Sequence, residues 1–169
     1  MTHHEIFVAG VPATGKSWLG QWLAEQHGYV HIDAERAGGA DLDRAGVHNE
    51  WDQLISTGRA TKFVNAIRKL PSSVVVNWGV PTRYLYVISA LQAEGVHTWW
   101  FHAPRNLARL AFVARGGIDP VCFDRQMTDI EREWLLIKSV FGSRIVEGLR
   151  SDGSQRTPED IWREISKIG

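Results

Sequence analysis

The chain has 169 residues, with 19 Lys and Arg balanced by 19 Asp and Glu, a hydrophobic share of 44% and a single cysteine, Cys122. These numbers lead to the expectation of one compact globular domain over 1–169, of cytoplasmic type, because one thiol closes no internal disulfide and the start Met-Thr-His-His-Glu has no basic segment leading into an apolar one. No apolar run approaches the ~20 residues of a membrane span, and zero formal charge does not suit a coat for nucleic acid or anionic lipid.

The first predicted element is a strand over Glu5 to Ala9. It runs into Gly10-Val-Pro-Ala-Thr-Gly15-Lys16-Ser17, a full match to G-x-x-x-x-G-K-[ST]. A helix over Ser17 to His27 follows, with Trp18, Leu19, Trp22 and Leu23 at helical spacing. Four specified positions coincide by chance in a chain of this length on the order of once in a hundred, and the strand-to-helix context makes it rarer. The chemistry implied is a phosphate cradle. Gly10 and Gly15 let the backbone curl, so the N–H groups of Ala13, Thr14, Gly15, Lys16 and Ser17 turn inward at a helix N-terminus whose dipole favours the same anion. Pro12 stiffens the loop. Lys16, expected to face solvent in the empty loop, is the catalytic cation for the β- and γ-phosphates of ATP; the Ser17 hydroxyl is a ligand for Mg2+ on the same nucleotide.

The second strand, Tyr29 to Asp33, ends in His31-Ile-Asp33-Ala-Glu35-Arg36. It delivers its C-terminal end beside the phosphate loop, where open α/β sheets bind ligands. Asp33 is therefore a candidate to orient an attacking hydroxyl and accept its proton, and the nearest acid for the metal shell. The competing reading makes Asp33 the N-cap of a short helix from Ala34. Arg36 is a candidate for an anionic part of the acceptor, and Glu35 is a weaker candidate than Asp33, with an ordinary exposed acid as its competing reading. Glu35 to Val47 reads as a mobile loop. The third strand, Ser73 to Trp78, carries Asn77 where many phosphate-loop proteins have an aspartate; an amide holds a metal-bound water but does not neutralise the ion. Trp78 reads as core more than as a stacking platform. Leu85, Ile88 and Leu91 mark a helix over Thr82 to Glu94.

After a fourth strand, Thr98 to His102, comes a helix with Arg105 and Arg109 on one face and Arg115 just before the pair Gly116-Gly117 that should end it. Gly116 to Gln126 reads as a second mobile loop, and Thr128-Asp-Ile-Glu131 as a capping box. A fifth strand over Arg144 to Glu147 precedes the segment Leu149 to Pro158. Thr157-Pro158-Glu159-Asp160 starts a final helix running to about Ile168. The alternation of short apolar strands with amphipathic helices is that of a parallel sheet covered on both faces. No HExxH, paired cysteine or G-x-S-x-G motif is present.

With its phosphate loop and this order of elements from Ile6 to Ile168, the chain resembles the small phosphate-loop kinases: the nucleoside-monophosphate, shikimate and gluconate kinases. The resemblance implies a three-layer fold with a five-stranded parallel sheet in the order 2-3-1-4-5. It also implies an enzyme that uses ATP and Mg2+ to move the γ-phosphoryl group to a small hydroxylated acceptor. In such kinases a lobe beyond the second strand binds the acceptor, which gives the loop over about 34–50 that role, with Asp33 and Arg36 in Asp-x-x-Arg spacing. An arginine-bearing lid maps to about 115–127, with Arg115 first, Arg109 second and Arg125 weaker. The adenine loop maps to Leu149 to Pro158. The chain departs from the pattern at Asn77 and at Ala111, near which a second lid arginine is often found. A 5′-hydroxyl nucleic-acid kinase, a hydrolytic nucleotide switch and a pure ATP-binding regulator remain as alternatives, with nucleic acid and membranes disfavoured as partners.

Overall fold

Residues 3–116 and 119–167 are described by a computed structural model in which all five expected strands form. β1 (Glu5–Gly10), β2 (Val30–Asp33), β3 (Val74–Asn77), β4 (His97–His102) and β5 (Ile145–Glu147) pair in parallel in the order β2-β3-β1-β4-β5, as the resemblance implied. Register sets the site: Val8 pairs with Asn77 and Asn77 with Asp33, so one row across the strand ends carries Asp33 and Asn77 two residues below the start of the phosphate loop.

The alternation of side chains along each strand divides the core in two. Ile6 and Val8 pack with Leu19 and Leu23 of α1 (Lys16–His27) and with Ile161 and Ile165 of α9 (Pro158–Ile165). Phe7 and Ala9 point the other way. They join a larger cluster built by α3 (His48–Thr57), α4 (Thr61–Ile67), α5 (Leu85–Ala93), α6 (Arg105–Arg115), α7 (Pro120–Arg132) and α8 (Trp134–Phe141). Each fully buried large side chain, such as Trp100, Phe7 or Leu23, contributes about 1.5–3 kcal/mol to folding. Burial on both faces is why β1, β3 and β4 read as near-continuous apolar runs.

Several helix expectations change. Thr128 does not start a helix; it lies inside α7, where its hydroxyl donates to the Asp124 carbonyl at 2.9 Å. The true start is Asp119, whose carboxylate accepts from the Val121 N–H at 2.9 Å, with Pro120 in the first turn. Much of the stretch read as a loop from Gly116 to Gln126 is therefore helical; Gly117 lies outside the described residues. The Glu35 to Val47 stretch likewise holds a 3-10 turn (Ala37–Gly39) and α2 (Ala40–Ala45). The final helix begins as expected, with the Thr157 hydroxyl accepting from the Asp160 N–H at 3.2 Å, but stops at Ile165; Ile168 lies outside the described residues.

Candidate active site

The loop between β1 and α1 alternates into left-handed backbone at Ala13 (φ 61°) and Gly15 (φ 89°), the geometry that turns successive N–H groups toward one centre. Gly10 has φ 128°, and a Cβ there would run into the Phe101 backbone, so that position admits no side chain. The Thr14 hydroxyl staples the curl by donating to the Val11 carbonyl at 2.7 Å. Lys16 is not solvent-facing, contrary to expectation. Its ammonium folds back to donate to the carbonyls of Gly10 (3.1 Å) and Val11 (2.9 Å), and the residue is 7% exposed. Burial pulls its pKa from 10.5 to about 8; Glu35 pushes it back up, Arg115 depresses it further and Asp33 again opposes.

Beside this cradle the strand ends bring Ser17, Asp33 and Asn77 together. The Ser17 hydroxyl donates to Asp33 Oδ2 at 3.2 Å, and Asn77 Nδ2 donates to Ser17 Oγ at 3.3 Å. Asn77 is fully buried, with its Oδ1 held by His31 Nε2. That bond aims the amide nitrogen at Ser17, so Asn77 orients the hydroxyl and offers no oxygen of its own. Gly20 makes this possible, because a Cβ there would occupy the His31 ring. Asp33 does not cap a helix from Ala34: its Oδ1 accepts from the Glu35 N–H at 3.0 Å, while the Ala34 N–H goes to the Asn77 carbonyl. Ser17 Oγ and the Asp33 carboxylate are hard oxygen donors of the kind Mg2+ takes. Among the described residues no three His, Cys, Asp or Glu converge as a metal cage.

A crevice of about 340 Å³ opens over the loop, and its charged lining residues are Lys16, Glu35 and Arg115. The Arg115 guanidinium lies 5.2 Å from the centre of the Phe112 ring, which holds the end of α6 at the crevice wall. Glu35, the weaker of the two acid candidates, is the one that lines the crevice. Its carboxylate sits against Gly79, where a Cβ would come within 2.6 Å of Oε1; a glycine just past β3 facing an acid just past β2 was the available signal. Trp18, 44% exposed, and Gln155 also line the crevice. Gln155 belongs to the expected adenine loop, which bridges Leu149 to Gln155 and is tied to the phosphate loop by Gln155 Nε2 donating to the Ala13 carbonyl at 3.3 Å.

Three candidates stand elsewhere. Arg109 does not line the crevice; its Nε donates to both oxygens of Asp124, at 3.2 and 3.3 Å, and this bond holds the Asp124 carboxyl below its usual pKa. Arg125 is exposed on α7 and does not line it either. Arg36 is paired with Asp41 at 3.0 Å. Trp78 packs edge-on against Trp51 with ring centres 5.0 Å apart, as core.

No family model matches the sequence, and no curated protein does at a significant level. Solved structures do match in fold over nearly the whole chain. A gluconokinase from Sinorhizobium meliloti aligns with TM-score 0.58 and 18% identity, covering 98% of this chain and 93% of that one. The shikimate kinase of Acinetobacter baumannii in complex with shikimate gives 0.60 and 14%, covering 99% and 93%. That of Bacteroides thetaiotaomicron gives 0.55 and 13%, covering 98% and 95%. The chain therefore has the phosphate-loop fold of the small kinases.

Proposed function

We propose that the protein is a small-molecule kinase that transfers the γ-phosphoryl group of ATP to an alcohol. The observation that carries this reading is the Asp33 carboxylate hydrogen-bonded to Ser17 at the rim of the phosphate cradle, beside Lys16. The loop N–H groups, from Ala13 to Ser17, hold the β-phosphate. Lys16 leaves its two loop carbonyls to take the β- and γ-phosphate oxygens, and Arg115 neutralises charge that develops on the transferring group from the crevice wall. The acceptor hydroxyl oxygen forms its bond to the γ-phosphorus as the bond from that phosphorus to the β,γ-bridging oxygen breaks. The electron pair stays on ADP, and the hydroxyl proton passes to Asp33. Ser17 and Asp33 are the residues that would hold Mg2+, which when bound supplies positive charge to the phosphates. Glu35, on the crevice wall, accepts hydrogen bonds from the acceptor's other donors.

A hydrolytic role is less well supported, because Asn77 offers neither a base nor an oxygen to a water: its carbonyl oxygen is taken by His31. The test is an ADP-release assay over polyols, sugars, nucleosides and antibiotics. Acceptor-dependent release from at least one class is expected; equal release with and without every acceptor would overturn the kinase reading.

A further inference from the structure

We infer that the acceptor is an uncharged or amine-bearing alcohol rather than a carboxylate, and that Asp41 sets this preference. The inference rests on the phosphotransfer reading and adds the charge class of the substrate. The segment from the end of β2 onward, residues 33–44, reaches the crevice wall at Glu35 and carries Asp33, Glu35, Asp41 and Asp43 against Arg36 and Arg44. Four carboxylates against two guanidiniums make the acceptor side formally negative.

The two cations, moreover, share one buried carboxylate. Arg36 and Arg44 each direct an NH1 group to the same oxygen of Asp41, at 3.0 and 3.1 Å. Asp41 is only 5% exposed, and its other oxygen accepts from the Asp33 N–H at 3.2 Å, so the trio is fixed to the backbone of the candidate base. Each guanidinium gives Asp41 one NH1 group, and the buried carboxylate they share cancels part of their positive charge and fixes their position, so an incoming carboxylate is attracted less than by two unpaired arginines. Arg83, beyond β3, lies 4.8 Å over the Tyr84 ring and does not line the crevice. Of the charged groups that do, Lys16 and Arg115 serve the phosphates, which leaves Glu35 facing the acceptor. Glu35 accepts hydrogen bonds from hydroxyl or ammonium groups and repels a carboxylate.

Three probes on one carbon skeleton test this: gluconate, glucitol and 1-amino-1-deoxyglucitol, titrated calorimetrically into the protein with a non-hydrolysable ATP analogue. The wild type should favour glucitol or the amine over gluconate by about tenfold or more. Asp41→Asn keeps an oxygen for the Asp33 N–H but frees both arginines, and should gain about tenfold in gluconate affinity. Asp41→Ser serves if circular dichroism shows the amide variant misfolded. Equal or preferential binding of gluconate by the wild type, or a folded variant with no gain for gluconate, would overturn the inference. If none of the three binds the wild type, the gain in the variant decides. ADP release measured on the same probes keeps the two readings apart: no release alongside the expected binding order would refute the kinase reading and leave the charge preference standing.

Discussion

Replacing Lys16 by methionine should stabilise the nucleotide-free protein while ending its use of ATP. The folded chain holds this ammonium at 7% exposure, and burial is the main cause of a pKa near 8 in place of 10.5. That depression corresponds to about 3 kcal/mol of folding free energy spent on keeping the charge inside. Methionine removes the charge and takes this donor from the Gly10 carbonyl, while the Val11 carbonyl keeps the Thr14 hydroxyl, at a cost of about 1–2 kcal/mol. A net gain of about 1–2 kcal/mol remains, or roughly 2–8 °C in Tm for a domain of this size. The sign with pH follows from linkage. Below pH 8 the lysine is protonated in both states and the penalty is complete. Between 8 and 10.5 the folded state has released a proton that the unfolded state still binds, so wild-type stability recovers and the gap to the variant closes. Scanning calorimetry of both proteins without nucleotide, at pH 7 and pH 9.5, reads both effects. A lower Tm for the variant at pH 7, or a gap that widens with pH, would refute the reasoning.

Asp33→Asn keeps an oxygen for the Glu35 N–H but loses the charge, so transfer at saturating MgATP should fall roughly 10²- to 10⁴-fold while ATP affinity by calorimetry changes little; unchanged transfer removes Asp33 from catalysis. Gly20→Ala should drive the His31 ring off Asn77 and lower stability by about 1–3 kcal/mol in urea titrations, with His31→Ala in the same chain restoring most of it. A Gly20→Ala protein as stable as wild type would show that the ring has another place to go. Ala13→Gly removes a side chain from left-handed backbone and should raise stability by up to about 1 kcal/mol, read as a rise in Tm; a fall would mean that the methyl packing outweighs the strain.

How much of this was legible depends on the range over which each signal acts. The phosphate loop is local: Gly10, Gly15, Lys16 and Ser17 fall within one eight-residue stretch and shape one turn, so strand, loop and helix could be read together. The sheet was legible because burial on both faces leaves Val74-Val75-Val76 and Trp99-Trp100-Phe101 as unbroken runs. The pairing partners of the arginines were not. Arg109 points at Asp124, 15 positions away, and Arg36 at Asp41, and nothing at the spacing of either pair distinguishes an ion pair from a free cation. Lys16 was misjudged because its ammonium folds back onto the Gly10 and Val11 carbonyls, which the curl of the loop brings to it only in three dimensions. The Thr128 capping box failed because a four-residue pattern also fits the middle of a helix, where the hydroxyl bonds back one turn.

The most direct test of the central claim follows the phosphoryl group itself. The protein is incubated with Mg2+, γ-labelled ATP and a deproteinised small-molecule extract, with the Lys16→Met protein in parallel, and the label is traced by chromatography. The account predicts label in a new small phosphate monoester, formed by the wild type and absent with the variant. Label recovered only in ATP and inorganic phosphate, in the same proportions for both proteins, would contradict it.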